Sequence, residues 1–115
     1  MSFIDIENNK ELFHEVLHST VVRFWGEIKQ SIRAIGIGYY DKVIIHRVIF
    51  DGPFSEKEKD DVRCVHTEII CDFGTTIKQF DLQFLSVPYP ENLGEYKTNW
   101  GWFYLRKEPV DFIRI

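Results

Sequence analysis

The chain has 115 residues, 44 % of them apolar and 28 % charged, with a net charge of −4. Size scaling gives one domain that buries about two-thirds of its unfolded surface, so a core forms without disulfide staples. Ten Phe, five Tyr and three Trp bring the aromatic share to 16 %, which excludes a disordered chain, and the acidic balance lacks the basic footprint of a nucleic-acid binder.

Asn8 and Asn9 are N-cap candidates for a first helix. Phe13, Val16, Leu17, Thr20, Val21 and Phe24 then recur on one broad helical face, and Gly26 is a natural stop. Ile32 to Tyr40 reads as a strand, with Arg33, Ile35, Ile37 and Tyr39 on one side and Ala34, Gly36 and Gly38 on the other. Gly36 and Gly38, inside a strand, point to close backbone approach or a bulge. Tyr40-Asp41-Lys42 turns the chain into a second strand, Val43 to Phe50, as a hairpin. Asp51-Gly52-Pro53 breaks it, and Ser55 with Glu58 forms a capping box opening a second helix. That helix runs to about Phe73 with Val62, Val65, Ile69 and Phe73 on one stripe, and ends at Gly74. Thr76 to Val87 reads as a third strand, Pro88 to Asn99 as a loop, and Trp100 to Arg106 as a fourth strand. Trp100, Trp102 and Tyr104 would share one face of that strand, with Gly101, Phe103 and Leu105 on the other.

The order α-β-β-α-β-β predicts a single α+β domain over residues 1–115, a mainly antiparallel four-stranded sheet with two helices on one face. The other face is then solvated or buried against something else, and part of the aromatic excess is expected there. No apolar run is long enough to span a membrane. Met1 to Glu7 lacks a basic and an apolar region, so no signal peptide is expected. Cys64 and Cys71 lie seven apart on the second helix, ~10.5 Å along its axis and beyond disulfide reach. A cytoplasmic location is consistent with that cysteine usage.

His14-Glu15-Val16-Leu17-His18 matches the H-E-x-x-H pattern, whose two histidines share a helix face and can hold zinc with Glu as general base. A small zinc metalloprotease is therefore one alternative. Against it, His46 and His66 are the only other imidazoles for a third ligand, and His14 and His18 fall on the solvent side of the wheel. Cys64 and His66 lie about 160° apart on a helix and do not chelate together. His66 reads as a packed, hydrogen-bonded core histidine. The two cysteines, set among Asp60, Glu68 and Asp72, lack a thiolate-stabilising environment. There is no phosphate-binding glycine loop or G-x-S-x-G elbow, so no catalytic residue, metal site or cofactor is expected.

The net charge has an address. Residues 51–72 hold seven acids (Asp51, Glu56, Glu58, Asp60, Asp61, Glu68 and Asp72) against Lys57, Lys59 and Arg63, while the other 93 residues are neutral. Asp61, Glu68 and Asp72, at i, i+7 and i+11, form a ridge beside the apolar stripe, and Asp51 and Glu56 lie near the helix N-terminus, where the dipole favours anions. The plain reading is a solvated helix face laced with lysine and arginine. The functional reading is a partner-binding surface that steers a basic protein, joined by Trp100, Trp102 and Tyr104, residue types enriched at interfaces. For those rings the plain reading is one strand face packed under a helix. An adaptor, or a nucleic-acid module stacking bases on the sheet, is a further alternative that the acidity disfavours.

Four segments resemble small bacterial immunity-type proteins of contact-dependent growth inhibition and related polymorphic toxin systems. They are Ser31-Ile32-Arg33-Ala34-Ile35, Phe50-Asp51-Gly52-Pro53-Phe54-Ser55-Glu56, Val65-His66-Thr67-Glu68 with Asp72-Phe73, and Tyr104-Leu105-Arg106-Lys107-Glu108. They span residues 31–108 and contain no catalytic signature. Val22 to Gln30 is longer than the pattern leads one to expect, and the H-E-x-x-H match lies outside it. The resemblance implies a non-enzymatic inhibitor that binds the toxin domain of its own system and blocks its active site. Many such toxins are nucleases with basic clefts, which an acidic, aromatic surface suits.

Overall fold

The computed structural model describes residues 3–74, 77 and 79–108, with side chains from Lys10 onward. Its elements are α1 (Phe3–Phe24), β1 (Ile32–Tyr40), β2 (Val43–Phe50), α2 (Glu56–Phe73), β3 (Gln79–Ser86), a 3₁₀ turn (Gly94–Tyr96) and β4 (Trp102–Leu105). The expected order is found. Helix α1 begins earlier than the asparagine caps imply, running through Asn8 and Asn9, whose capping preference is a weak competitor inside an established helix. It continues through Val22 to Phe24, which accounts for part of the extra length noted between the first helix and the first strand. Gly26, at φ +75°, stands just past the helix, and the Glu27 amide donates to the Phe24 carbonyl at 2.9 Å.

The hairpin boundaries agree with the sequence reading. Asp41 and Lys42 both have positive φ, 51° and 67°, the geometry of a type I′ turn whose twist matches that of its strands. The Ser55 cap is complete: its hydroxyl accepts from the Glu58 amide while the Glu58 carboxylate accepts from the Ser55 amide. Strand β3 starts at Gln79; Thr76, the expected start, lies outside the described residues, as does the chain after Glu108. Strand β4 is shorter than expected at both ends.

The sheet is mixed, with order β3-β2-β1-β4. Pairs β1–β2 and β1–β4 are antiparallel, but β2–β3 is parallel. Parallel neighbours need a crossover, and α2 provides it: the β2-α2-β3 segment leaves one end of the sheet and re-enters in the same direction. The chain must then travel from one sheet edge to the other to form β4. Residues 87–101 make that journey across the face opposite the helices.

Three clusters hold the layers together. Between helices and sheet lie Phe24, Ile32, Ile35, Val48, Phe50, Val62, Val65 and Ile69. Val16, Ile37, Ile44 and Ile77 extend this layer toward the hairpin end. On the opposite face Ala34 and Ile49 meet Val87 and Leu93 of the crossing loop. Each fully buried Ile, Leu or Phe contributes about 1.5–3 kcal/mol. The loop is also tied down by polar contacts: Arg47 Nη1 donates to the Tyr96 carbonyl at 2.7 Å, and Thr98 Oγ1 to the Ile37 carbonyl at 2.6 Å. Asn99 pairs with both the amide and the carbonyl of Tyr39. Gly36 admits this approach, since a Cβ there would lie 2.9 Å from Thr98 Oγ1. The centre of the second face, around Ala34, Gly36 and Ile49, is therefore covered by the protein's own loop.

Candidate functional site

The acids of α2 were expected to face a partner. Within the molecule these acids meet the protein's own cations. Asp72 takes Arg23 of α1 in a two-nitrogen grip, Nε to Oδ2 at 2.9 Å and Nη2 to Oδ1 at 2.5 Å, and accepts from Ser19 at 2.7 Å. The Arg23 hydrogen bond, with that of Ser19, holds the Asp72 carboxyl down at about 2. Glu68 meets the same guanidinium at 3.3 Å. Asp61 pairs with Lys29 and, more loosely, with Lys57. Glu56 is shared by Lys59 and Arg63. The ridge is a charge seam that sews α2 to α1 and to the segment following it.

Asp51 is also internal in its use. It accepts from the Tyr89 amide at 2.8 Å and from Arg106 Nη2 at 3.0 Å, and both contacts lower its carboxyl below the usual range, the amide most. Arg106 passes the chain of charge to Glu108, and Glu108 grips Arg33 through two bonds of 2.9 and 2.8 Å. Arg33 and Glu108 side chains are 0 % and 3 % exposed. The third guanidinium contact is the Val87 carbonyl, at 2.7 Å. A register shift in β1 between Ile32 and Ala34 lets Ile32 and Ile35 both pack toward the helices while Arg33 takes these other partners. Arg33, Asp51, Arg106 and Glu108 all come from the segments that carry the immunity-type resemblance. Those segments build an internal ionic frame.

The aromatic comb does not form. Gly101, at φ +87°, turns the chain between Trp100 and β4, so simple alternation fails there. Trp100 stacks on Tyr39 at 5.3 Å and meets the edge of Phe13 of α1 at 5.2 Å. Trp102 lies on the other side, over Gly36 and among the cluster of Ala34, Ile49, Val87 and Leu93. Tyr104 packs against the main core. The three rings are half-buried supports in different places, not one surface.

His14 and His18 are exposed on α1, as the wheel predicted. The third imidazole does not join them. His46 is sealed in the core, its Nε2 3.0 Å from Thr20 Oγ1, with the ring against His66 at 5.1 Å. Thr20 spends its single proton on the Val16 carbonyl at 2.7 Å, so its oxygen accepts from His46 Nε2 and leaves Nδ1 as a bare acceptor. His66 is buried as expected, but its Nε2 has no hydrogen-bond partner. Burial pushes both imidazoles down, His46 to about 3 and His66 to about 4. Cys64 and Cys71 are exposed free thiols.

One surface was missed. Val21, assigned to the buried stripe of α1, is 39 % exposed; Val22 is 51 % exposed and Trp25 83 %. On the helical wheel Val22 lies opposite the buried stripe and Trp25 well outside it. Two large apolar residues on the outer side of an amphipathic helix were the available signal. Beside them an open groove of about 470 Å³ runs between α1 and the end of α2, lined by Glu15, His18, Ser19, Val22, Arg23, Asp72 and Phe73.

Comparison with known protein families gives one finding: the profile of the MafI2 immunity protein matches residues 14–108. No significant match is found among curated proteins. The matched span takes in everything from the second half of α1 to the Arg33–Glu108 pair.

Proposed function

The chain belongs to the MafI2 immunity protein family, and from that premise we propose that it binds the toxin domain of its own system and neutralises it by covering the active site, without catalysis of its own. The family match over residues 14–108 is the observation that carries this reading. Three features support it. The residue sets with chemical potential are dispersed or consumed structurally, as His46 is by Thr20 and Asp72 by Arg23. The protein is acidic, with a net charge of −4, which suits a toxin whose cleft is basic, as a nuclease's is. No described helix is long and apolar enough to cross a membrane; the setting we propose is the cytoplasm of a bacterium with a contact-dependent or related toxin system. Of the acids expected to dock, Glu56 and Glu68 keep the most exposed side chains, 78 % and 55 %, and belong at the margin of the contact.

Co-expression tests the reading. Cells making the toxin domain encoded immediately upstream of this gene should grow only when this protein is also made, and the two should co-purify. Failure of both rescue and co-purification overturns it.

A further inference from the structure

We propose that the outer face at the end of α1, centred on Trp25 with Val21 and Val22, is the surface that docks the toxin, and that the toxin offers it an apolar pocket rimmed by lysine or arginine. The inference rests on the immunity reading above and deepens it. Trp25 is 83 % exposed. A tryptophan buries about 150–250 Å² when covered, and it is among the residues most enriched at interface hot spots. Val21 lies four residues and Val22 three residues before it, so all three crowd one strip of surface. The turn that follows is fixed by Gly26 at φ +75° and by the 2.9 Å bond from Glu27 to Phe24, which presents the indole from an ordered backbone. The groove lined by Val22, His18 and Phe73 continues the strip toward α2. Trp25 also sits outside the segments whose charges build the internal frame.

Charge sets the chemistry of the partner. Glu15 lies on the same outer face, and Glu27 just beyond it; neither has an ion-pair partner among the described residues. The nearby cations are already committed, Arg23 to Asp72 and Glu68, and Lys29 to Asp61. An apolar strip with unbalanced acids around it complements a basic rim. A second copy of this chain would set these acids against their own equivalents across a two-fold axis, which disfavours self-association.

The test measures binding of the catalytically inactivated toxin domain encoded upstream to wild-type protein and to two variants. Trp25→Ala should weaken binding at least about 30-fold with an unchanged melting midpoint, because the side chain is mostly in water. Glu15→Lys combined with Glu27→Lys should slow association about tenfold at low salt and flatten its salt dependence. Equal affinity of wild type and Trp25→Ala overturns the surface assignment and leaves the immunity reading standing. No binding by the wild type overturns both. A dimer of the wild-type protein alone that Trp25→Ala converts to a monomer assigns the face to self-association and also overturns the proposal.

Discussion

Arg23 and Asp72 stand 49 residues apart in the chain yet form a two-nitrogen grip that fastens the end of α1 to the end of α2. A carboxylate held this way stabilises the fold and has little left to offer a partner. Asp61→Asn combined with Asp72→Asn is therefore expected to lower the thermal midpoint, while toxin affinity falls far less than in Trp25→Ala. Calorimetry and toxin affinity check this. An affinity loss as large as that of Trp25→Ala with an unchanged midpoint would return the ridge to the docking surface.

Glu108 neutralises a guanidinium that has no exposure to water. Glu108→Ala takes from the buried Arg33 the carboxylate that grips it, leaving the Val87 carbonyl and the Tyr89 ring as its contacts among the described residues, at an expected cost of about 3–5 kcal/mol in urea unfolding. Arg33→Met combined with Glu108→Leu should recover most of that loss, because no uncompensated charge remains. A single-variant loss below about 1 kcal/mol contradicts the account.

His46 and His66 make stability pH-dependent in a defined window. Burial lowers both folded values, to about 3 and about 4, below the unfolded value of 6.5. The unfolded chain then binds more protons than the folded one as pH drops. Stability is full above about pH 6.5 and declines on acidification toward the folded values. Between pH 7 and 5 the loss is about 2 kcal/mol for each histidine at most. The carboxylates with lowered values, Asp51, Glu58, Asp61, Asp72 and Glu108, act in the same direction but below about pH 4.5. Urea unfolding at pH 7, 6 and 5 separates the two groups, and a flat profile across that range refutes the histidine assignment.

Gly36 is a contact glycine, since its φ is ordinary and the crossing loop lies directly above it. Gly36→Ala should cost about 1–3 kcal/mol by overpacking against Thr98. Because Thr98 is the obstructing side chain, Thr98→Ala and Gly36→Ala should be non-additive, with the double variant more stable than the sum of the singles. Gly26→Ala, where nothing lies within 4 Å, should be destabilising through its backbone conformation alone and show no such coupling. Additive behaviour at Gly36 and Thr98 would remove the close-approach explanation.

Local chemistry was readable along the chain. The hairpin from Ile32 to Phe50, the Ser55–Glu58 cap and the Gly74 end of α2 follow from side-chain period, turn preference and capping, all settled within a few residues. So did the exposure of His14 and His18, and the contact role of Gly36. The outward position of Val22 and Trp25 was also legible on the helical wheel. How far each stands in water was not, because that depends on what other elements cover.

Pairing across distance belonged to the folded arrangement. The parallel β2–β3 contact, the loop laid over the second sheet face, the split of Trp100 from Trp102 and the neutralised ridge each depend on segments far apart in sequence. Periodicity constrains which face a side chain takes; it does not say which charge, strand or loop arrives to meet it. The net charge of −4 thus reads as an acidic surface in one dimension. In three dimensions Glu56, Asp60, Asp61, Glu68 and Asp72 of α2 each meet a cation and Glu58 meets Ser31 and Ser55, while Glu15 and Glu27, on either side of Trp25 in the chain, have no ion-pair partner among the described residues.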